Sequence, residues 1–357
     1  MSTCVLIMAG GTGGHVFPAL AAARALRERG IAVAWLGSLG GMEERVVQAD
    51  GIAFHGLRIR GLRGKGAAAW LLAPLRLAVA LGEALTVMVR LRPRVVLGMG
   101  GFAAGPGGLA AWLLRRPLVI HEQNAVAGWT NRVLAHLARR TLCAYPGALP
   151  AAEVVGNPVR PDIAALPPPD ARLADRTGPL RLLVLGGSQG ARALNQCLPD
   201  ALARVSGRTA IEVIHQTGVT DEASVRDAYA RAGVPAQVHA FIQDMAAAYG
   251  WADLLVCRAG ALTLAEVTAA GVGAVLVPYP HAVDDHQTRN AEHLVAAGAA
   301  VLQPQDTLSA ESLANTLTGL LGDRARLIEM ARRARSLARP DATAAVTAVL
   351  CAEGGLP

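Results

Sequence analysis

Two glycine-rich segments, about half a chain apart, contain the residues best suited to bind a phosphate. Gly10–Gly14 follows the apolar run Cys4–Ala9, and Gly186–Gly190 follows the similar run Arg181–Leu185. Where a strand passes into a helix, glycines let backbone N–H groups approach an anion at the helix N-terminus. The repeated pattern therefore predicts two nucleotide-type α/β halves. The first segment is not a P-loop, because no Lys-Ser or Lys-Thr pair follows it.

His15 directly follows the first glycine segment. Imidazole changes protonation near neutral pH, so a histidine beside a binding loop is a candidate general base, with a structural role as the alternative. The segment also loosely matches a dinucleotide fingerprint, yet Leu36–Ser38 stands where a ribose-binding Asp or Glu is expected. This disfavours an NAD-dependent oxidoreductase, and a tight turn without a ligand is the remaining alternative for the loop.

Three further polar segments follow predicted strands, at the sheet edge where parallel α/β folds bind ligands. Glu266 lies in the first turns of a predicted helix, where its carboxylate can accept two hydrogen bonds from a ribose diol or only interact with the helix dipole. His121–Asn124 places four polar side chains at one strand end. Asp284–Asn290 contains an Asp pair, but the chain has no Asp-x-Asp, so no bound metal is expected.

Cations and large apolar side chains are interleaved between residues 60 and 90, and a Trp-Arg-Arg group near residue 115 extends the set. This combination is typical of a helix lying on an anionic membrane surface, although an amphipathic helix packed on its own domain has the same pattern. The predicted membrane patch consists of Trp70, Leu71, Leu72, Leu75, Arg76, Trp112, Arg115 and Arg116.

Composition limits the remaining classes of protein. A length of 357 residues suits two α/β domains, and a hydrophobic content of 52% is enough for a large core. The net charge of +7 comes almost entirely from arginine, but an aromatic content of 4% disfavours a surface that stacks nucleic-acid bases. Five scattered cysteines indicate reduced thiols in a cytoplasmic protein. No basic segment precedes the first strand, so no secretory signal is expected.

Alternating strands and helices predict parallel sheets with right-handed crossovers. A helix is expected at Ala19–Arg29, with Pro18 in its first turn. The uncharged Val95–Leu114 is long enough to span a bilayer, but its glycines favour a buried strand, a loop and a helix. Strands are predicted at Cys4–Ala9, Ile31–Leu36, Arg94–Leu97, Leu118–His121, Thr141–Ala144, Arg181–Leu185, Ile211–His215, Gln237–Ala240, Asp253–Cys257 and Ala274–Val277.

A proline cluster between Gly156 and Arg172 is the predicted linker between the domains. The expected domains are therefore residues 1–160 and 161–340. The remaining segment, 341–357, is predicted to form a helix, with Asp341 as its N-cap, that packs back on the first domain.

Taken together, these motifs resemble the MurG family, the peptidoglycan N-acetylglucosaminyltransferases that make lipid II. The resemblance implies an α/β GT-B glycosyltransferase fold, with two Rossmann-like domains whose parallel sheets face a deep cleft. Ala104 and Ala259 depart from the family's frequent serines, which puts local hydrogen bonding in doubt. The matching stretches occur in one order across nearly the whole chain and are GGTGGHVFPALA, GMGGFAAGPGG, HEQNAVAG, VVGNPVR, GGSQGA, CRAGALTLAE and DDHQTRNA.

The resemblance also implies roles for individual residues. His15 is the candidate catalytic base, and the acceptor loop comprises Gly100, Gly101, Phe102 and Glu122. The sugar-nucleotide donor UDP-GlcNAc is expected to contact Thr12, Gly13, Gly14, Asn124, Arg160, Ser188, Ile242, Ala261, Leu262, Thr263, Glu266 and Gln287. In the family, Glu266 would hold the ribose, Ile242 would lie by the uracil, and Gln287 would bind the sugar hydroxyls.

The implied reaction is an inverting transfer of GlcNAc from UDP-GlcNAc to the C4 hydroxyl of the muramoyl sugar of lipid I, forming a β-1,4 bond. No cofactor and no metal are implied. The implied partners are the undecaprenyl-linked acceptor, the anionic surface of the inner membrane on its cytoplasmic side, and cell-wall synthesis and division proteins, with no nucleic acid. A glycolipid transferase acting on diacylglycerol or a sterol, and a UDP-GlcNAc 2-epimerase, are the alternatives.

Overall fold

The computed structural model describes residues 4–59, 72–187, 190–207 and 209–357. The chain divides into two compact units, residues 1–159 with 339–357, and residues 160–338. Each unit contains one sheet, and the strand pairs within both sheets are parallel. The predicted α/β class with two Rossmann-like domains is confirmed.

The sheet of the first unit has its first strand near the centre. Its strands are β1 (Cys4–Met8), β2 (Ala32–Ser38), β3 (Ala53–Leu57), β4 (Val95–Gly98), β5 (Leu118–Glu122), β6 (Arg140–Cys143) and β7 (Glu153–Val154). They are ordered β3-β2-β1-β4-β5-β6-β7. Val5, Leu6, Ile7 and Met8 are completely buried. This burial explains the uninterrupted apolar run, because helices cover both faces of a parallel sheet.

The helices of the first unit alternate with these strands. They are α1 (Gly13–Glu28), α2 (Met42–Ala49), α3 (Ala73–Leu91), α4 (Ala104–Leu113) and α5 (Trp129–Ala135). The C-terminal helix Ala342–Gly354 belongs to the same unit. Its Val346 and Leu350 share an apolar core with β1, and Glu353 pairs with Arg139 at 2.7 Å. Asp341 stands at the N-cap position but makes no side-chain capping bond.

The second unit repeats the alternation. Its strands, in spatial order, are Ala236–His239, Ile211–Gln216, Leu180–Leu185, Leu254–Cys257, Gly273–Leu276 and Ala300–Leu302. Its helices are α6 (Pro161–Ala164), α7 (Pro169–Leu173), α8 (Arg192–Ser206), α9 (Glu222–Ala232), α10 (Met245–Trp251), α11 (Ala261–Ala270), α12 (His286–Ala296), α13 (Ala310–Leu321) and α14 (Arg324–Ser336), with short 3₁₀ turns at Val283–Asp285 and Gln305–Thr307.

Several elements differ from the sequence prediction. Helix α1 begins at Gly13, so the placement of Pro18 in a first turn is wrong. Pro18 lies inside the helix and has no N–H for the carbonyl of Gly14, a loss that packing must offset because the ring is buried. Strands β3, β7 and Ala300–Leu302 were not predicted, because they are short strands at or next to sheet edges with weak apolar patterns.

No helix among the described residues is both long enough and apolar enough to cross a membrane. The uncharged segment Val95–Leu114 instead forms β4, a glycine turn and α4. Trp70 and Leu71 of the predicted membrane patch, and the predicted donor-site residue Ser188, lie outside the described residues.

Candidate active site

The Gly10–Gly14 loop joins β1 to α1 at the carboxyl edge of the first sheet. Thr12 is the extended N-cap residue of α1, and Gly13 and Gly14 form the first turn. N–H groups in a first turn have no carbonyl partner within their helix and carry the positive end of its dipole. This geometry suits an anion or a polar group of a substrate.

A buried carboxylate that the sequence analysis missed lies beneath this loop. Glu43, which is fully buried, accepts hydrogen bonds from the N–H of Gly11 at 3.3 Å and the N–H of Ser38 at 3.0 Å. It therefore fills the crevice between the ends of β1 and β2, where Rossmann dehydrogenases bind a ribose. This is a further argument against a dinucleotide in the first unit.

His15 lies at the start of α1, half-buried, and is tied to the end of β5. Its Nδ1 is 2.8 Å from Oε1 of Gln123, and Nε2 of Gln123 is 3.0 Å from Nδ1 of His121. The buried ring of His121 continues the series, with its Nε2 2.8 Å from the carbonyl oxygen of Gly156. Burial lowers the pKa of His121, against the opposing effects of the Gly156 hydrogen bond and the Glu122 charge. Two histidines are thus joined through one amide.

Glu122 stabilises the loop after β5 from inside the protein. It is almost completely buried, and its Oε1 accepts from the backbone and side-chain amides of Asn124. Its Oε2 accepts from the N–H of Gly128 and from Nδ2 of Asn131, the latter at 2.8 Å. Both oxygens of Glu122 therefore hold the segment after β5, including Asn124.

The acceptor-loop glycines approach the Gly10–Gly14 loop closely. A Cβ atom placed on Gly100 would lie 3.0 Å from the ring of His15, and one on Gly101 would collide with the backbone of Gly10. Both residues also have positive φ angles, 98° and 90°. A side chain at either position would therefore displace the loop or the His15 ring. Phe102 follows, with 48% of its surface exposed.

In the second unit, Glu266 lies on the first turns of α11, below the N-terminus formed by Gly260 and Ala261–Thr263. Arg160 donates to its Oε1 from Nε at 3.1 Å and from Nη2 at 2.8 Å, and the Tyr249 hydroxyl donates to its Oε2 at 3.1 Å. Burial raises the pKa of Glu266, whereas the Arg160 charge and the two hydrogen-bond donors act against that rise.

Arg160 was predicted to contact the sugar-nucleotide donor, and its guanidinium binds the carboxylate that is expected to hold the ribose. Tyr249, which is completely buried, is a second support that no sequence pattern indicated. The two groups fix the direction in which the lone pairs of Glu266 point.

The remaining predicted donor-site residues follow strands of the second sheet, either in a loop or in the first turn of a helix. Ile242 is half-buried between Ala236–His239 and α10, and Ala261–Thr263 open α11. Gln287 accepts from the Tyr279 N–H at 2.9 Å through Oε1, which leaves its NH₂ group as a donor for a sugar hydroxyl. Arg258, also missed from the sequence, ties the same loop by donating to the carbonyls of Val277 and Pro278.

Ala104 and Ala259, the two departures from the family pattern, are both completely buried. The carbonyl oxygen of Ala259 accepts from Nδ2 of Asn290 at 3.3 Å. Within the described part of the chain, His, Cys, Asp and Glu side chains form no group of three or more suited to a metal ion.

Helices α3, α4 and α5 expose an unusual number of large apolar side chains. On α3, Leu75 is 63% exposed, and on α4, Trp112 is 50% exposed. Arg76 and Arg115 are exposed beside them, and Arg116 is half-buried. Trp129 on α5, 75% exposed, was not in the predicted patch. The described patch residues are Leu72, Leu75, Arg76, Trp112, Arg115 and Arg116, to which the structure adds Leu77, Val79, Leu113, Trp129 and Val133.

Comparison with known proteins assigns both units to the same glycosyltransferase family. Residues 5–143 match the glycosyltransferase family 28 N-terminal domain, and residues 181–346 match the family 28 C-terminal domain. A UDP-N-acetylglucosamine--N-acetylmuramyl-(pentapeptide) pyrophosphoryl-undecaprenol N-acetylglucosamine transferase of Alkalilimnicola ehrlichii is 59% identical over 355 residues, 99% of each chain. The enzyme of that name from Chromohalobacter salexigens is 60% identical over 341 residues, 95% of this chain and 93% of its own.

A crystal structure of MurG from Acinetobacter baumannii superimposes with a TM-score of 0.86 at 43% identity, covering 98% of this chain and 99% of that one.

Proposed function

Because the chain belongs to the MurG family of glycosyltransferase family 28, we propose that it transfers GlcNAc from UDP-GlcNAc to lipid I and so forms lipid II. The observation that carries the proposal is the buried Glu266 beneath the N-terminus of α11. A carboxylate that can accept from a ribose diol, next to amides that suit a diphosphate, is the pair of groups a nucleoside-diphosphate sugar requires.

In the proposed reaction, the C4 hydroxyl oxygen of the muramoyl sugar attacks the anomeric carbon from the side opposite UDP. The new C–O bond forms as the bond between the anomeric carbon and the diphosphate oxygen breaks, and its electron pair leaves with UDP. His15 takes the hydroxyl proton as the bond forms. Inversion at the anomeric carbon gives the β-1,4 product.

The leaving diphosphate gains negative charge as its bond to the sugar breaks. The N–H groups at the start of α11, near Ala261–Thr263, and those of the Gly186–Gly190 loop would stabilise this charge. Arg160 contributes indirectly, because it holds Glu266 for the ribose. The first-unit residues Thr12–Gly14 and Asn124 complete the proposed donor contacts.

On the acceptor side, the Gly100–Phe102 loop contacts the Gly10–Gly14 loop and the His15 ring. The absence of side chains at Gly100 and Gly101 lets this loop pack directly against the His15 ring and the Gly10 backbone. The resemblance to the family supports lipid I as the acceptor, and the sequence around His121–Asn124 favours it over diacylglycerol or a sterol.

A direct assay tests the proposed function. Labelled GlcNAc from UDP-GlcNAc should appear in a lipid I analogue, with EDTA present throughout. Formation of the labelled product in the presence of EDTA would support lipid I as the class of acceptor. It would also support a reaction that does not depend on free divalent ions. Conversion of UDP-GlcNAc in the absence of any acceptor would instead support a 2-epimerase and contradict the acceptor role of the first unit.

We further propose that the patch on α3, α4 and α5 binds the first unit to the cytoplasmic surface of the inner membrane, where the acceptor's polyprenyl chain resides. Exposed leucine and tryptophan side chains bordered by Arg76 and Arg115 suit an anionic bilayer surface. Cell-wall synthesis and division proteins are the proposed protein partners at this surface.

Replacing Leu75 and Trp112 together with serine is expected to weaken binding to anionic vesicles by about tenfold or more, because each large side chain removed from an apolar environment costs roughly 1.5–3 kcal/mol. Co-sedimentation with phosphatidylglycerol vesicles measures this. The matched control is Leu337→Ser, a partly exposed leucine of the second unit, which should bind like the wild type. Equal binding by the double variant would contradict the membrane assignment.

A further inference from the structure

Two backbone carbonyls determine the direction of the hydrogen bonds between His121, Gln123 and His15. The carbonyl oxygen of Gly156 can only accept, so the Nε2 of His121 that faces it must carry a proton. Burial lowers the pKa of His121, which keeps the ring neutral near pH 7 and its Nδ1 unprotonated. His121 therefore presents an acceptor to Gln123.

The amide of Gln123 is oriented by a second carbonyl. Its Nε2 lies 2.9 Å from the carbonyl oxygen of His121 and 3.0 Å from Nδ1 of the same residue. The reversed amide would place its oxygen against two acceptors, so the NH₂ group must face His121. The oxygen Oε1 of Gln123 consequently faces His15.

We propose that Gln123, oriented by His121, holds neutral His15 in the tautomer with the proton on Nδ1 and the lone pair on Nε2. An amide oxygen can only accept, so the Nδ1 that lies 2.8 Å from Oε1 must be the donor. This inference rests on the proposed function, in which His15 takes the acceptor's proton. Nε2 is then the receiving atom, and the Nδ1–H bond to Gln123 remains in the imidazolium that forms.

The surroundings hold this arrangement in place. Gln123 is completely buried, and its own carbonyl oxygen accepts from Nδ2 of Asn157 at 3.0 Å. Nδ2 of Asn131 donates to the His121 carbonyl at 3.2 Å. The backbone of Gly100 packs against the His15 ring. The positioning residue therefore has little freedom to rotate away.

The ionisable groups on neighbouring elements have other partners. Glu122 accepts from the N–H of Asn124 and from the side-chain amide of Asn131, and Glu43 accepts from the N–H groups of Gly11 and Ser38. His15 is thus oriented by a neutral amide rather than by a carboxylate. A neutral partner fixes the tautomer without the charge that would favour the protonated, and hence inactive, base.

The tautomer is measured directly by ¹⁵N NMR of the wild-type enzyme labelled at its nine histidines, with the His15 signals assigned from a His15→Asn variant. At a pH where the ring is neutral, we expect Nδ1 to show a pyrrole-type shift and Nε2 a pyridine-type shift. The opposite pattern would overturn the proposal, and this test requires no change at Gln123.

Two substitutions test the role of Gln123 itself. Gln123→Met keeps the size but removes donor and acceptor, so His15 should lose its preference for Nδ1–H and kcat should fall at least tenfold, since a wrongly protonated base cannot react. Gln123→Glu keeps an acceptor for Nδ1–H, so the tautomer should persist.

A merely structural role for Gln123 predicts an unchanged Nδ1–H tautomer in Gln123→Met, and that result would contradict the proposal. If the tautomer follows Gln123 while kcat does not, the positioning by Gln123 is supported and the assignment of His15 as the base is wrong. The KM for UDP-GlcNAc should change less than kcat in Gln123→Met, because the proposed ribose and diphosphate contacts of the second unit are unaltered.

Discussion

Replacing His15 with alanine should lower kcat by about 10²–10⁴-fold, the usual contribution of a positioned general base. The ring lies beside the Gly10–Gly14 loop and against Gly100, and its Nδ1 is bonded to Gln123. Loss of the imidazole removes the proposed proton acceptor, while the proposed ribose site at Glu266 remains intact. We therefore expect the effect in kcat, with a small change in the KM for UDP-GlcNAc. Steady-state transfer to a lipid I analogue between pH 6 and pH 9 measures both.

His15→Asn is the matched control, because its side-chain amide can still donate to Oε1 of Gln123 but cannot take a proton. If kcat of His15→Asn falls as far as that of His15→Ala, the ability of His15 to take a proton is required. If kcat of His15→Asn instead stays near the wild-type value, the role of His15 is structural. The assignment would be contradicted by an alanine variant with kcat near the wild-type value across the pH range.

Glu266→Gln should lower kcat/KM for UDP-GlcNAc by about 100-fold, since hydrogen bonds to a charged group contribute roughly 1.5–3 kcal/mol each. The substitution keeps the shape of the side chain but removes the negative charge that Arg160 and Tyr249 hold in place. The amide also offers fewer lone pairs to a ribose diol. Initial rates at varied UDP-GlcNAc, with the acceptor saturating, give the value.

A donor lacking the ribose 2′-hydroxyl separates the ribose contact from general damage to the site. With this analogue, kcat/KM of the wild type should fall by about tenfold or more. In Glu266→Gln the same analogue should lower kcat/KM little further, because the effects of removing two groups that contact each other are not additive. Equal losses in both enzymes would contradict the ribose assignment. Because Glu266 is buried, the thermal unfolding temperature of the variant should be measured together with its kinetics, to control for damage to the fold.

The fold and the identity of several site residues follow from local pattern. The apolar run before Gly10–Gly14 predicts β1, and a polar run such as His121–Asn124 after a strand predicts a site, because strand ends in a parallel sheet meet at one edge. Glu266 was predicted in the same way, from its place in the first turns of a helix. Each of these signals lies within a few consecutive residues.

The partners of these residues could not be predicted, because they come from distant parts of the chain. His15 and Gln123 are separated by 108 positions, and Arg160 and Glu266 by 106. No spacing rule connects such pairs, so the sequence did not indicate that the guanidinium of Arg160 binds the carboxylate of Glu266. Tyr249 gave no signal at all, since an isolated buried tyrosine is typical of an ordinary core.

The carboxylate of Glu43 has a consequence for the energetics of substrate binding. It ties the Gly10–Gly14 loop to the end of β2 through Gly11 and Ser38 as part of the folded chain. The conformational entropy of this glycine-rich loop is therefore lost when the protein folds, and not each time a substrate binds. More of the interaction free energy with substrate then remains available to stabilise the transition state.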